Sequence, residues 1–187
     1  MTFKKQTSDD NDNGSSGEQQ QVALFSDDTG EALNEAAFRL VREATKDGPL
    51  NTLREEGDGD GDDVQSMKWI ETVKIAAGRH KYVLMDVYNE RNERKLIVRS
   101  YANCGYHADN YRVAMREIQN DSNFSSNSVK ARVIGGGRIE YDPVRSDVNV
   151  YGYSMTFGRT PGCNKKTMEI IQKTLNIANA QWSDDGY

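Results

Sequence analysis

"KYVLMDVYNERNERKLIVRSY" occupies residues 81–101 and contains two strand-like runs separated by a polar connection. In the first run, 81–88, apolar residues alternate with other residues, which is typical of a strand with a buried face. The connection "NERNER" (89–94) is polar, and the second run, 95–101, is apolar and rich in β-branched residues. These features predict a β-hairpin.

Further strand-like and helical patterns lie on both sides of this hairpin. One strand, "WIETVKIAA" (69–77), precedes it, and helices are predicted at roughly 108–120 and at 164–179, the latter with Asn164 as its N-cap. The order β-β-β-α-β-β-α-β predicts an α/β fold of the α+β type, with a mixed β-sheet of about six strands flanked by two helices. The other predicted strands are "VKARVIGGGRIEYD" (129–142), "DVNVYGYSMTF" (147–157) and "AQWSDDGY" (180–187).

Charge divides the chain into two parts. Residues 1–66 carry 6 Lys and Arg against 16 Asp and Glu, whereas residues 67–187 carry 18 against 13. The acidic part includes a polar segment at 1–21, too poor in apolar side chains to form a core, and the linker-like "DGDGDD" at 58–63. We therefore predict a disordered acidic N-terminal extension over 1–66 and a folded domain over 67–187.

One helix is predicted within the extension, near residues 30–46. Asp28 and Glu31 have the spacing of a capping box, and an apolar stripe that includes Leu33 and Leu40 follows them. Two interpretations are open: the helix docks on the folded domain, or it binds a partner protein. We favour docking, and we expect the extension to be dispensable for chemistry because none of the motifs described below lies within it.

Composition limits the cellular environment and the ligands. Cys104 and Cys163 form neither a CxxC pair nor a disulfide framework, which fits a reduced intracellular compartment. The longest apolar runs span only a few residues, so we expect a cytoplasmic protein that does not associate with a membrane. Basic residues in 67–187 form no run, which favours a small anion over nucleic acid as a ligand. Because the two histidines and two cysteines do not cluster, neither a metal site nor a cofactor is expected.

Three features could carry chemistry. His107 lies where a strand gives way to a helix, "IGGGRI" (134–139) places three glycines and an arginine in a strand, and "YGYSMTFG" (151–158) ends a strand with a hydroxyl and several amides. Unobstructed amides, together with Arg138 and a lysine, suit a phosphoryl group. Each feature also has a structural interpretation: a polar histidine with satisfied hydrogen bonds, a β-bulge at the glycines, and a solvent-facing Ser154. The residues by themselves indicate an anion-binding α/β domain with one candidate histidine.

Five short motifs resemble the Janus/ocnus family in their order and spacing, over about residues 68–187. The motifs are "KYVL" (81–84), "YHADNY" (106–111), "GGGRI" (135–139), "VYGYSM" (150–155) and "WSDDGY" (182–187). The best-understood members of this family are protein phosphohistidine phosphatases, which have a mixed sheet with a helix on each side. The resemblance implies a metal-independent enzyme that hydrolyses the P–N bond of phosphohistidine-containing proteins, with phospholysine as a further candidate substrate. We expect it to act as a monomer.

The same resemblance implies roles for individual residues. His107 matches the family's catalytic histidine, and Lys81 matches a lysine that contacts the substrate phosphate. Thr156 departs from the family pattern, which often has a smaller residue there, and many members lack the acidic extension. The other residues implied to bind substrate are Ser154, Met155 and Thr156 in a phosphate cradle, Gly135, Gly137 and Arg138 in the glycine-arginine strand, and Arg99 in the strand before the helix.

The chemical role of the histidine stays open at this point. His107 could activate water as a general base or accept the phosphoryl group itself, and we favour the general base. Nearby helix amides and the cations Lys81, Arg99 and Arg138 predict a His107 pKa below the ordinary value of about 6.5. The alternative to an enzyme is a regulatory module that binds phosphorylated side chains without turnover.

Overall fold

The computed structural model describes residues 21–46, 65–124 and 128–186 of the chain. Disorder is predicted for residues 1–21 and a linker for residues 58–63. Apart from Gln21, these residues lie outside the described ranges. Within them the chain forms a six-stranded mixed sheet and three helices. The predicted α+β fold and the order of its elements from the first strand onward are confirmed.

The sheet has the strand order β1-β3-β2-β4-β5-β6. The two outer pairs, β1 with β3 and β5 with β6, are parallel, and the three inner pairs are antiparallel. Among the described helices, none is long and apolar enough to cross a membrane. The strands are β1 Val73–Ile75, β2 Gly78–Tyr88, β3 Arg94–Ser100, β4 Lys130–Asp142, β5 Asp147–Tyr151 and β6 Asn179–Trp182, and the helices are α1 Glu35–Ala44, α2 His107–Asn120 and α3 Cys163–Leu175.

The predicted hairpin becomes β2 and β3, which pair from Val83 opposite Arg99 to Tyr88 opposite Arg94. On its other edge β2 pairs with β4 along its whole length. Both faces of β2 are covered, because Val83 belongs to one hydrophobic cluster and Tyr82 to the other. The alternation in the sequence therefore separates two buried faces, rather than a buried face from a solvated one.

Two hydrophobic cores lie on opposite sides of the sheet. The first contains side chains from α1, α2 and the Val83 face of β2, and the second contains side chains from α3 and the Tyr82 face. Each helix buries an apolar stripe against its own face of the sheet, which is the arrangement that layered α+β domains use. Fully buried members of the first core include Val83, Met85, Val87 and Ala114, and those of the second include Tyr82, Leu84, Ile139 and Ile171.

Helix α1 docks on the domain, as the favoured interpretation predicts. Its N-cap is Asn34, whose side-chain oxygen accepts a hydrogen bond from the Ala37 amide at 2.9 Å, so the predicted capping box at Asp28 is wrong. Leu40 and Ala44 are buried in the first core, whereas Leu33 precedes the helix and is 61% exposed. The boundary drawn at residue 66 stays a prediction, but residues before it contribute to the core of the domain.

Two elements begin or end at residues other than those predicted, because single residues adopt left-handed backbone conformations. The strand predicted over 147–157 ends at Tyr151, because Gly152 has a left-handed φ of 71° and turns the chain out of the sheet. Helix α3 starts one residue earlier than predicted, at Cys163, with Gly162 as its N-cap, so Asn164 is not the cap. The helix also ends at the exposed Leu175 rather than near residue 179, because Asn176 adopts a left-handed conformation.

The packing of α1 can be tested with a pair of leucine variants. Leu40→Ala removes a buried side chain from the first core and should lower the free energy of unfolding by about 2–3 kcal/mol. The matched control Leu33→Ala, at an exposed site outside the helix, should change it by less than about 0.5 kcal/mol. Urea denaturation followed by circular dichroism measures both. Equal effects of the two variants would show that α1 is not part of the cooperative core.

Candidate active site

His107 is the first residue of α2, and its side chain is buried at the start of the helix. Its Nε2 lies 3.0 Å from the carbonyl oxygen of Gly137. Because a carbonyl oxygen only accepts hydrogen bonds, Nε2 carries the proton in the neutral ring and donates it to Gly137. Nδ1 therefore keeps its lone pair, and within the described residues it has no hydrogen-bond partner. The ring presents one basic nitrogen.

The surroundings keep this ring neutral. The pKa of His107 is lowered to about 4, mainly by burial and also by the positive charges of Lys81 and Arg138, against the opposing effect of the hydrogen bond to Gly137. The predicted direction of the pKa shift is therefore confirmed, with Lys81 and Arg138 as the cations responsible. At neutral pH the imidazole is uncharged and can accept a proton or attack an electrophile.

Lys81 and Arg138 form a pair of cations beside His107. They are directly opposite each other in the β2–β4 ladder, on the sheet face that α2 covers. The Lys81 ammonium lies 5.1 Å from the centroid of the Tyr106 ring. Burial and then Arg138 lower the pKa of Lys81, while Asp109 and Asp27 oppose this shift. The like charges of these two paired residues repel each other, and an anion bound between them would relieve the repulsion.

The glycines of β4 allow other parts of the chain to approach the strand closely. A Cβ on Gly136 would lie 2.4 Å from the Tyr82 carbonyl oxygen and 3.0 Å from Cδ2 of His107. A Cβ on Gly137 would lie 2.4 Å from the Tyr151 carbonyl oxygen, and one on Gly135 would lie 2.8 Å from Sγ of Cys163. A register shift precedes the glycines, since Leu84 pairs with Gly135 and Met85 with Val133. The alternative of a β-bulge is thus correct beside the glycines, and of the three it is Gly136 that leaves space for the histidine ring.

The segment 152–158 forms a compact loop that starts beside Gly137. Ser154 is fully buried, and its Oγ accepts a hydrogen bond from the Phe157 amide at 3.1 Å. Thr156 Oγ1 donates to the Gly30 carbonyl at 2.8 Å, while the Met155 side chain is half exposed. The Ser154 hydroxyl therefore holds the loop together, and the Thr156 hydroxyl attaches it to the segment that contains Gly30. Within the described residues, the Met155 and Thr156 amides make no backbone hydrogen bond, so two donors of the predicted cradle are not used by the backbone of the fold.

Asn164 holds this loop in place and was not identified from the sequence as a site residue. Its Nδ2 donates to the carbonyls of Gly152 at 2.9 Å and Ser183 at 2.8 Å, and its Oδ1 accepts from the Tyr82 hydroxyl at 2.6 Å. The amide thereby joins the start of the loop to the residue after Lys81 and to the segment after β6. The sequence signal that could have indicated this network is the motif "WSDDGY", which resembles the family pattern and contains Ser183.

Arg99 is placed differently from the other candidate residues. It is 3% exposed, and its guanidinium donates to the carbonyls of Glu71 at 2.6 Å, Val98 at 2.9 Å and Thr72 at 3.4 Å. These bonds tie β3 to the segment before β1. The contacts give Arg99 a structural task and provide no support for its predicted part in substrate binding.

Across the described parts of the chain, no group of three or more His, Cys, Asp and Glu side chains is arranged to hold a metal ion. The candidate site thus combines the neutral imidazole of His107 with the cations Lys81 and Arg138, and the 152–158 loop starts beside the same Gly137 that the imidazole contacts. Its members come from β2, the start of α2, β4 and the loop after β5. That composition suits a dianion such as a phosphoryl group.

Comparison with known proteins gives the family of this chain. The model of the Janus/Ocnus family matches residues 67–179. The sex-regulated protein janus-A of Drosophila melanogaster is 33% identical over 110 residues, which cover 59% of this chain and 76% of that protein. The 14 kDa phosphohistidine phosphatase of Sus scrofa is 34% identical over 116 residues, which cover 59% of this chain and 86% of that protein. The matched region contains strands β1 to β5, α2 and α3, and the chain belongs to the Janus/Ocnus family.

Proposed function

We propose that this protein is a metal-independent phosphohistidine phosphatase, which hydrolyses the P–N bond of phosphohistidine in proteins, with phospholysine as a further candidate substrate. The observation that carries the proposal is the state of His107. Its Nε2 is bound to a carbonyl, its Nδ1 is free of partners within the described residues, and its low pKa keeps it neutral beside two cations. The name of the Sus scrofa relative supports this activity, whereas the name janus-A states none.

The proposed reaction moves one phosphoryl group to water. The oxygen of a water molecule forms a bond to phosphorus as the P–N bond breaks, and Nδ1 of His107 takes the proton that the water loses. The electron pair of the P–N bond goes to the leaving imidazole, which is protonated from solvent. A protonated imidazole leaves easily, so the site needs less acid catalysis than a phosphate ester would require.

Charge stabilisation falls to groups that are already in position. Negative charge spreads over the oxygens of a phosphoryl group during transfer, and fixed donors are most effective there because they need no reorganisation. Lys81 and Arg138 supply positive charge from adjacent strands, and the Met155 and Thr156 amides supply donors from the loop. A bound dianion would also raise the pKa of His107 and make Nδ1 a stronger base during turnover.

The neutral ring fits a second route, in which Nδ1 attacks phosphorus and a phosphorylated His107 forms before water releases phosphate. Rapid acid-free quenching followed by 31P NMR distinguishes the two routes. A phosphoramidate signal on the enzyme, absent in His107→Ala, would replace the general base by this nucleophile. The non-catalytic alternative would bind a phosphohistidine peptide without releasing phosphate.

Removal of the imidazole is the first test of the proposed activity. His107→Ala should lower kcat for a phosphohistidine peptide at least about a hundredfold, because general base catalysis typically contributes that much. The control is His80→Ala, which removes the other histidine, whose Nε2 contacts the Ala77 carbonyl. Phosphate release and thermal unfolding are measured for both. If His107→Ala keeps most of its activity, or if His80→Ala loses as much, His107 is not the catalytic group.

Lys81 is expected to act mainly in binding. Lys81→Ala should raise KM about tenfold, the effect of losing one charge-assisted hydrogen bond, with a smaller change in kcat. Lys130→Ala removes an exposed lysine from the far end of β4 and serves as the control. Steady-state kinetics on the same peptide give both constants. An unchanged kcat/KM in Lys81→Ala would exclude this lysine from the substrate site.

The pH dependence and metal independence of the reaction can be tested together. Protonation of His107 removes the base, so kcat/KM should fall on the acid side as pH approaches the His107 pKa of about 4, and no loss assigned to His107 should occur between about pH 6 and 8. An NMR titration of the His107 ring supplies the pKa for comparison. The profile should be the same with and without EDTA. Inactivation by EDTA, or an acid limb that does not coincide with the ring titration, would contradict the mechanism.

A further inference from the structure

Residues 26–31, which we call the tip loop, reach the candidate site from the N-terminal part of the chain. Phe25 and Ala32 pair as an antiparallel bridge at its base, and the Ser26 amide donates to the Glu31 carbonyl at 2.8 Å. The base is anchored on both sides, because Phe25 is buried in the first core and α1 follows shortly afterwards. The tip loop is therefore held in a defined position.

The tip loop lies against the loop that carries the Met155 and Thr156 amides. Thr156 Oγ1 donates to the Gly30 carbonyl at 2.8 Å. Gly30 has a φ of 67°, and a Cβ at this position would lie 3.1 Å from Thr156 Oγ1 and 3.3 Å from Cβ of Met155. The Thr156 hydroxyl therefore has a structural role, because it binds the tip loop beside the candidate site.

Asp27 is the residue of the tip loop that approaches Lys81, through the side chain of Tyr106. Its Oδ1 accepts a hydrogen bond from the hydroxyl of Tyr106. The Lys81 ammonium lies over the ring of the same tyrosine, so the Asp27 carboxylate and the Lys81 ammonium both contact the Tyr106 side chain. The Asp27 charge also raises the pKa of Lys81, against the larger effect of burial.

We propose, on the basis of the proposed function, that Asp27 sets the substrate preference of this site, disfavouring bare phosphate and favouring phosphorylated side chains flanked by positive charge. A carboxylate beside Lys81 repels an incoming dianion and partly neutralises the ammonium that should attract it. A lysine or arginine next to the phosphorylated residue of a substrate would instead be attracted to Asp27. The tip loop thus makes the site selective for basic protein segments.

Asparagine at this position separates charge from structure. Asp27→Asn keeps the oxygen that accepts the Tyr106 hydrogen bond, so the tip loop should stay in place while its charge is lost. Asp28→Asn removes the same charge from the adjacent exposed residue, for which the described residues show no contact with Tyr106 or Lys81. The two variants form a matched pair.

The first measurement is binding of inorganic phosphate, followed by NMR titration of backbone amides. Asp27→Asn should bind phosphate about three- to tenfold more tightly than the wild type, and the gain should shrink at high salt because screening weakens the repulsion. Asp28→Asn should stay within about twofold of the wild type, because its charge is not held beside Lys81. Equal phosphate affinities for the wild type and Asp27→Asn would overturn the proposal.

The second measurement uses two phosphohistidine peptides that differ only in having Lys or Glu on both sides of the phosphorylated residue. The wild type and Asp28→Asn should have a higher kcat/KM for the lysine peptide, and Asp27→Asn should lose most of that preference. An unchanged preference would also overturn the proposal. If the wild type releases phosphate from neither peptide, the proposed function fails, and the phosphate titration still decides the role of Asp27.

Thermal unfolding would reveal whether Asp27→Asn loses its fold. A second variant tests the proposal independently in that case. Tyr106→Phe keeps the ring beneath Lys81 but removes the hydroxyl that holds Asp27. Freed from this bond, the carboxylate should spend less time beside the cation, and phosphate binding should tighten in the same direction as in Asp27→Asn. Weaker or unchanged phosphate binding in Tyr106→Phe would count against the proposal.

Discussion

The hydrogen bond from His107 to the Gly137 carbonyl is the interaction on which the candidate site depends. It fixes the tautomer of the ring and leaves Nδ1 with its lone pair. It can form only because Gly136 has no side chain where the ring meets β4. Gly137 in turn lies against Gly152, at the start of the loop that carries the Met155 and Thr156 amides. One backbone carbonyl therefore orients the ring next to the cations and beside the origin of the loop.

The order of the elements could be predicted because the signals involved are local. Alternation in β2 and helical spacing in α2 and α3 concern neighbouring residues, and they gave the correct type of element. The predicted ends of strands and helices were less accurate where the backbone conformation depended on a single residue. The left-handed Gly152 ends β5 well before the apolar pattern does, and Asn34 caps α1 because residues 26–31 are held as a loop by the bridge at their base.

The candidate site was predictable to the extent that its residues belong to short motifs. His107, Lys81 and Arg138 do, and they lie together. Arg99 also follows a motif, but burial and the nearby carbonyls of Glu71 and Thr72 occupy its guanidinium. The contacts of the tip loop could not be predicted, because Asp27 meets Tyr106 across 79 residues and Gly30 meets Thr156 across 126. No local pattern specifies such pairs.

The hydrogen bonds of Asn164 have a consequence for biosynthesis. The carbonyl of Gly152 is tied, through the Asn164 amide, to Ser183, which is made long after the central strands. A growing chain can pair β2 with β3 and β4 while residue 183 is still inside the ribosome, but the loop after β5 lacks its last fastening. The nascent domain would then hold its histidine in place before the loop of the candidate site is fixed. That loop would reach its final position only after residue 183 has left the ribosome.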